Sequence, residues 1–104
     1  MISQFANAIE NLNLIKIEYD GGSRIIEPHA LGLSSKNNPV LRAFQQSGHS
    51  QSGQYENWKL LRLDRVENYE ILSEKFLEPR KGYKENDSHM KQIIAQLFIK
   101  KRQR

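Results

Sequence analysis

Apolar residues along the middle of the chain recur with a period of two between turn-rich breaks, whereas at both ends their spacing is closer to that of a helix. At the start, Phe5, Ala6, Ile9 and Leu12 fall on one helical face, with Ser3 as the capping residue and Ile2 ahead of it as a staple. This predicts a helix over residues 1–13, ended by Asn11 and Asn13. Leu14 to Tyr19 then alternates, placing Ile15, Ile17 and Tyr19 on one side and Lys16 and Glu18 on the other. Asp20-Gly21-Gly22-Ser23 is a tight-turn signal, because aspartate and glycine tolerate the positive φ of hairpin turns. The return strand runs from Arg24 to Leu33, and Pro28, which has no N–H to donate, belongs at an edge, bulge or bend.

Ser34 to Pro39 is a second turn cluster, followed by a strand from Pro39 to about Gln46. Gln46 to Asn57 is almost free of apolar residues except Tyr55, and reads as a flexible connection able to act as a flap. Trp58–Leu63 and Val66–Leu72 supply two more strands around a brief turn at Asp64-Arg65. Five strands joined by tight turns predict a small closed barrel over 14–72, since closure removes exposed edges. Residues 73–85 read as an irregular arm anchored by Phe76, Pro79, Arg80, Gly82 and Tyr83. From Asn86 or Asp87, the spacing of Met90, Ile93, Ile94, Leu97 and Phe98 predicts a C-terminal helix whose basic end suits the helix dipole. The expectation is a single domain, mainly β with flanking helices.

The two central strands carry arginines among core-type residues, and parity decides where those arginines point. Leu41 and Ala43 share one face of their strand, and Leu61 and Leu63 share one face of theirs. If those four enter the core, Arg42 and Arg62 lie outside with Phe44 and Trp58. Guanidinium forks match phosphate oxygens and aromatic rings stack on bases, so that face suits a nucleic acid or nucleotide. The competing reading pairs the arginines with Glu27, Asp64 or Glu67 and uses Trp58 only to close the barrel.

With 104 residues, the chain is long enough for one modest core. It has no cysteine, which excludes disulfides, thiolate metal sites and cysteine nucleophiles. The net charge of +4 is concentrated in Lys100, Lys101, Arg102 and Arg104, a tail that is either a non-specific nucleic-acid contact or a solvated terminus. Residues 24–65 are otherwise rich in cations, and Glu67, Glu70, Glu74 and Glu78 reverse the sign, giving a polarised domain. No apolar run is long enough to span a membrane and the N-terminus lacks signal-peptide character, so a cytoplasmic protein with no membrane association is expected. His29, His49 and His89 lack the close spacing of zinc ligands, although His29 at its bend is suited to an anion. Gly48 to Gly53 lacks the Gly-Lys-Ser/Thr ending of a phosphate loop, and no nucleophile, acid and base assemble by local spacing. A non-enzymatic role without cofactor or metal is expected.

Taken in order, Arg24-Ile25-Ile26-Glu27-Pro28-His29-Ala30-Leu31, Val40-Leu41-Arg42-Ala43-Phe44 and Trp58-Lys59-Leu60-Leu61-Arg62-Leu63-Asp64-Arg65-Val66 resemble the WYL domain of prokaryotes and their phages. The resemblance covers about residues 8–72, and Phe76 to Tyr83 is similar to an extension of short stand-alone members. It implies an Sm/SH3-like barrel that binds a nucleic acid or nucleotide-like ligand through basic residues of the sheet, often in transcription regulators. The family's naming triplet falls on Pro39-Val40-Leu41, so its tryptophan and tyrosine are absent here. Its basic positions correspond to Arg24, Arg42, Arg62 and Arg65, with His29 beside them. With Phe44 and Trp58 these form the expected ligand-binding set of a regulatory module. The alternative is a protein–protein adaptor in regulation or defence, and the amphipathic ends suit a homodimer.

Overall fold

A computed structural model describes residues 1–50 and 57–99. The N-terminal periodicity folds as α1 (Ile2–Asn11), whose apolar stripe buries Phe5, Ala8 and Ile9. Met1 rather than Ser3 occupies the N-cap, no side chain caps that end, and Ile2 is exposed instead of stapled. Leu12 turns left-handed (φ 60°), and its N–H reaches back to the Ile9 carbonyl at 3.2 Å, ending the helix.

β1 (Asn13–Tyr19) follows, with Ile15, Ile17 and Tyr19 buried as their alternation requires. Asp20 and Gly21 both take positive φ (52° and 81°), the conformation a two-residue hairpin turn demands, and lead into β2 (Gly22–Leu33). β3 (Pro39–Gly48) pairs along β2, and β4 (Asn57–Arg62) pairs with β3. A short 3₁₀ turn, Leu63–Arg65, carries the chain to β5 (Val66–Lys75), which pairs with β1. The strand order is β4-β3-β2-β1-β5.

Two expectations are corrected. The expected C-terminal helix is absent among the described residues: Gln92–Gln96 forms β6, antiparallel to β2. β1 pairs with β2 only as far as Ile26, leaving the edge of Ala30–Leu33 open, and β6 occupies that edge. A strand there pairs the edge N–H and C=O groups of β2, which a helix, bonded within itself, would leave unpaired. Gly32 permits this approach, because a Cβ there would come within 2.3 Å of the Gln92 carbonyl oxygen. The closed five-stranded barrel is likewise not formed. One antiparallel sheet of six strands stays open between β4 and β5, although only the three residues of the 3₁₀ turn join them.

Pro28 falls between the stretches of β2 that pair with β1 and β6, beside a register shift against β3, as its missing N–H suggests. Directly paired residues share a face, so one side of the sheet carries Ile15, Ile17, Ile26, Leu41, Ala43 and Leu61, all buried. The opposite, outer side carries Glu27, Arg42, Phe44 and Trp58. The connection expected to act as a flap is shortened by β3, which runs to Gly48, and its part at 51–56 lies outside the described residues, as does the 100–104 tail. No described helix is long and apolar enough to cross a membrane.

Candidate functional site

The expected ligand residues separate into two places. On the outer face of β3 and β4, Phe44 lies opposite Trp58 and Arg42 opposite Leu60, the arrangement parity requires. Phe44 and Trp58 meet edge to face with centroids 5.5 Å apart. The arm, which in the structure is the segment 76–91 between β5 and β6, crosses this face. Tyr83 stacks near Trp58 (6.2 Å, 28°), and the Arg80 guanidinium lies 4.5 Å above Phe44. Asp87 grips Arg42 with two oxygens, Oδ2 at 2.6 Å from Nε and Oδ1 at 3.4 Å from Nη2. Burial pushes the Asp87 carboxyl up, but the bonds from Arg42 and from the His89 N–H outweigh it and hold it below the ordinary carboxylate value. Arg42 therefore pairs neither with Glu27 nor with Asp64 or Glu67. Glu27, 1% exposed, accepts both arms of the Arg80 fork at 2.9 Å and the Gln46 amide at 3.0 Å.

His29 is corrected from ligand residue to core residue. It is fully buried among Trp58, Phe76 and Tyr83, with ring centroids 4.7, 5.3 and 5.1 Å away. Its Nε2 accepts the Arg80 N–H at 3.0 Å, which leaves Nδ1–H to donate to the Glu27 carbonyl at 2.8 Å. Both nitrogens are used within the fold. Desolvation lowers its pKa against the opposing pull of the Glu27 carbonyl and charge. The unfolded chain therefore binds a proton that the folded chain refuses. The stabilising contribution is complete above the unfolded-state pKa of about 6.5 and falls as the pH drops toward the lowered folded value, with a slope of up to about 1.4 kcal/mol per pH unit. Thermal melts from neutral to mildly acidic pH should show a shallower pH dependence in His29→Gln than in the wild type; parallel curves would refute the assignment.

The second place is the open rim of the sheet, where Tyr19 ends β1. The Arg24 and Arg65 guanidinium carbons lie 4.8 and 5.2 Å from the centroid of its ring, and its hydroxyl accepts the Arg62 N–H at 3.1 Å. Asp20 bridges Arg24 (3.7 Å) and Arg65, while Asp64 takes the Arg62 fork, with Oδ1 3.0 Å from Nε. Lys59, in register on the inner face, donates to the Ser50 hydroxyl at 3.1 Å. Arg24 is 4% exposed; one of its nitrogens donates to Gln45 at 3.2 Å, and its Nε has no partner. Desolvation lowers the pKa of both Arg24 and Lys59, and the Arg24 charge lowers Lys59 further. Two guanidinium groups, Arg24 and Arg65, thus lie over one ring whose hydroxyl is held by the Arg62 backbone, with Asp20 and Asp64 the carboxylates paired to these arginines among the described residues.

Sequence reasoning missed Tyr19, Asp20 and Lys59 at the rim, and Arg80 and Asp87 on the arm. Parity placed Lys59 with the core-facing residues of β4, and a lysine there is a signal that a polar site lies inside. Nothing local signalled Asp87, which meets Arg42 from 45 positions away. Among the described residues, no group of three or more His, Asp or Glu side chains is arranged to hold a metal. The chain matches no protein-family model, no curated protein and no solved structure.

Proposed function

We propose that the chain is a non-catalytic, WYL-like binding module that holds a nucleic acid or phosphorylated nucleotide by its phosphate groups at the Tyr19 rim. The observation that carries this reading is the cation excess there: Arg24 and Arg65 lie over the Tyr19 ring and Arg62 follows at its hydroxyl, three guanidinium groups paired with two carboxylates, Asp20 and Asp64. Arg62 and Arg65 are about half exposed (47% and 51%), so a phosphate can reach them, while Asp20 and Asp64 keep their forks oriented. Beneath them the buried Arg24 keeps an Nε without a hydrogen-bond partner among the described residues, a donor that a merely solvated charged face lacks. Binding to an oligonucleotide, measured across a salt series, is expected to weaken with salt and to lose roughly one unit of log–log slope for each phosphate contact removed. Lys59→Ala combined with Arg65→Ala should lower both affinity and slope, whereas Arg42→Ala should leave the slope unchanged. Equal slopes in wild type and the rim double variant sink the reading.

A second reading, a protein adaptor, is favoured by one observation. Leu77, Phe98 and Ile99 are 94%, 71% and 46% exposed and line a groove of about 530 Å³ beside Leu12 and Pro79. Co-purification with one protein, together with indifference to oligonucleotides and nucleotides, decides in its favour; self-association is read from mass in solution.

A further inference from the structure

Beneath the tip of the arm runs a groove of about 330 Å³, walled by Trp58 and Tyr83 and lined by Arg42, Lys84, Ser88 and His89. That volume lies within the range of small-molecule sites. The groove has the two components a phosphate-bearing ring compound needs, a flat aromatic wall and cations. Its main cation, however, is engaged. The Asp87 carboxylate sits on Arg42 through two donors, the geometry a phosphate adopts on a guanidinium, and Arg42 Nη2 also lies 3.2 Å from His89 Nδ1. Lys84, also on the arm, has no ion pair among the described residues.

The tip is attached more weakly than the segments around it. Tyr83 and Met90 are buried anchors, with the Tyr83 hydroxyl donating to the Leu97 carbonyl at 2.8 Å. Desolvation pushes the Tyr83 phenol up to about 12, so it stays a donor. Between them, the tip is held by the partly buried Arg42–Asp87 pair and by exposed bonds: Asn86 exchanges two with the Gln96 side chain (2.9 and 3.1 Å), and Glu85 accepts the Ile99 N–H at 2.8 Å. Gly82 and Asn86 both take positive φ (94° and 57°), which bends the chain at the start and middle of this span. The exposed bonds exchange with water at little net cost, which leaves the Asp87–Arg42 pair as the main tie at the tip while both anchors stay buried.

We propose that this groove is a second binding site, for a single phosphate-bearing ring compound of nucleotide size, and that Asp87 is the latch that keeps Arg42 from it. The site shares with the rim only the chemistry of its ligand. The compound's ring lies against Trp58 and its phosphate replaces the Asp87 carboxylate on Arg42, with Lys84 and Ser88 within the same groove. Because only the unlatched fraction binds, the observed affinity is the intrinsic one reduced by that fraction.

Trp58 is the chain's one tryptophan, so its fluorescence reports the groove directly. Titration with adenosine 5′-monophosphate should give an at least tenfold tighter response in Asp87→Asn than in wild type. That gain should vanish in Asp87→Asn with Arg42→Ala and survive in Asp87→Asn with Arg65→Ala. No tightening, a gain that persists without Arg42, or a gain lost with Arg65 overturns the proposal. Should Asp87→Asn unfold the chain, hydrogen exchange on wild type with saturating nucleotide gives the answer: the His89 amide, which donates to Asp87 Oδ1 at 2.9 Å, should exchange faster than in the free protein, and slower or unchanged exchange overturns the latch. Failure of the rim reading shows separately, in oligonucleotide binding that ignores Lys59 and Arg65.

Discussion

Phe5→Ala should destabilise the fold by about 4 kcal/mol, the cost of removing a fully buried aromatic ring and leaving its cavity. The ring packs edge to face on Tyr69 of β5, with centroids 5.1 Å apart, and so ties α1 to the sheet. Nothing else about α1 compensates. It has ten residues, no side-chain cap, no acidic residue in its first turn and no basic residue in its last. Isolated helices shorter than about 12 residues are marginal in water, so α1 exists because its apolar stripe is buried. Against a total stability of roughly 5–15 kcal/mol for a chain of this size, the loss is a large fraction. Far-UV circular dichroism should show α1 melting together with the sheet in one transition of lowered midpoint. Phe5→Leu, which keeps most of the volume, should cost no more than about 1.5 kcal/mol. A midpoint in Phe5→Ala within a degree or two of wild type would contradict the role of the ring.

What the sequence made legible follows from the distance over which each signal acts. The hairpin of β1 and β2 depends on neighbouring residues: Ile15, Ile17 and Tyr19 alternate, and Asp20-Gly21 supplies the positive φ. Parity on β3 and β4 separated Leu41, Ala43 and Leu61 from Arg42, Phe44 and Trp58, because a pleated strand leaves no other choice. The C-terminal segment was misread for the opposite reason. Met90, Ile93, Ile94 and Leu97 satisfy helical spacing, but a short apolar run is compatible with either structure, and the vacant edge of β2 that settled it lies some sixty positions earlier. His29 was misread because a histidine next to a proline bend looks exposed in the sequence, whereas the arm that buries it comes about fifty residues later. Parity put Arg42 and Arg62 outward with Phe44 and Trp58, but it did not signal that Arg24 is buried, and the arginines' carboxylate partners were only partly foreseen. Asp64 stands two positions from Arg62 and was visible; Asp87 was not.

The arm is fastened at one end by an interaction of a different kind from the latch at its tip, and Arg80→Ala should expose the difference. Arg42 and Asp87, with side chains 21% and 8% exposed, are sealed less deeply than Glu27, so their charges are partly rehydrated when the pair opens. Glu27 has no such recourse. Its side chain is 1% exposed, and removing Arg80 leaves it buried with the Gln46 amide as its one side-chain donor among the described residues, a cost of about 3 kcal/mol. In a domain of this size that corresponds to a drop in melting midpoint of roughly 15 °C. The Arg80 guanidinium also leaves the Phe44 face, so Trp58 should become wetter and its emission shift to the red. The cause is the stranded charge rather than the missing side chain, and Glu27→Gln in the Arg80→Ala background should therefore recover most of the loss, since a neutral amide is far cheaper to bury. If the double variant is no more stable than Arg80→Ala alone, the pairing is not what holds the arm. With Glu27 sealed more deeply than Asp87, Arg42 can be uncovered while Arg80 still holds the arm to the sheet, which is the condition a latch must meet.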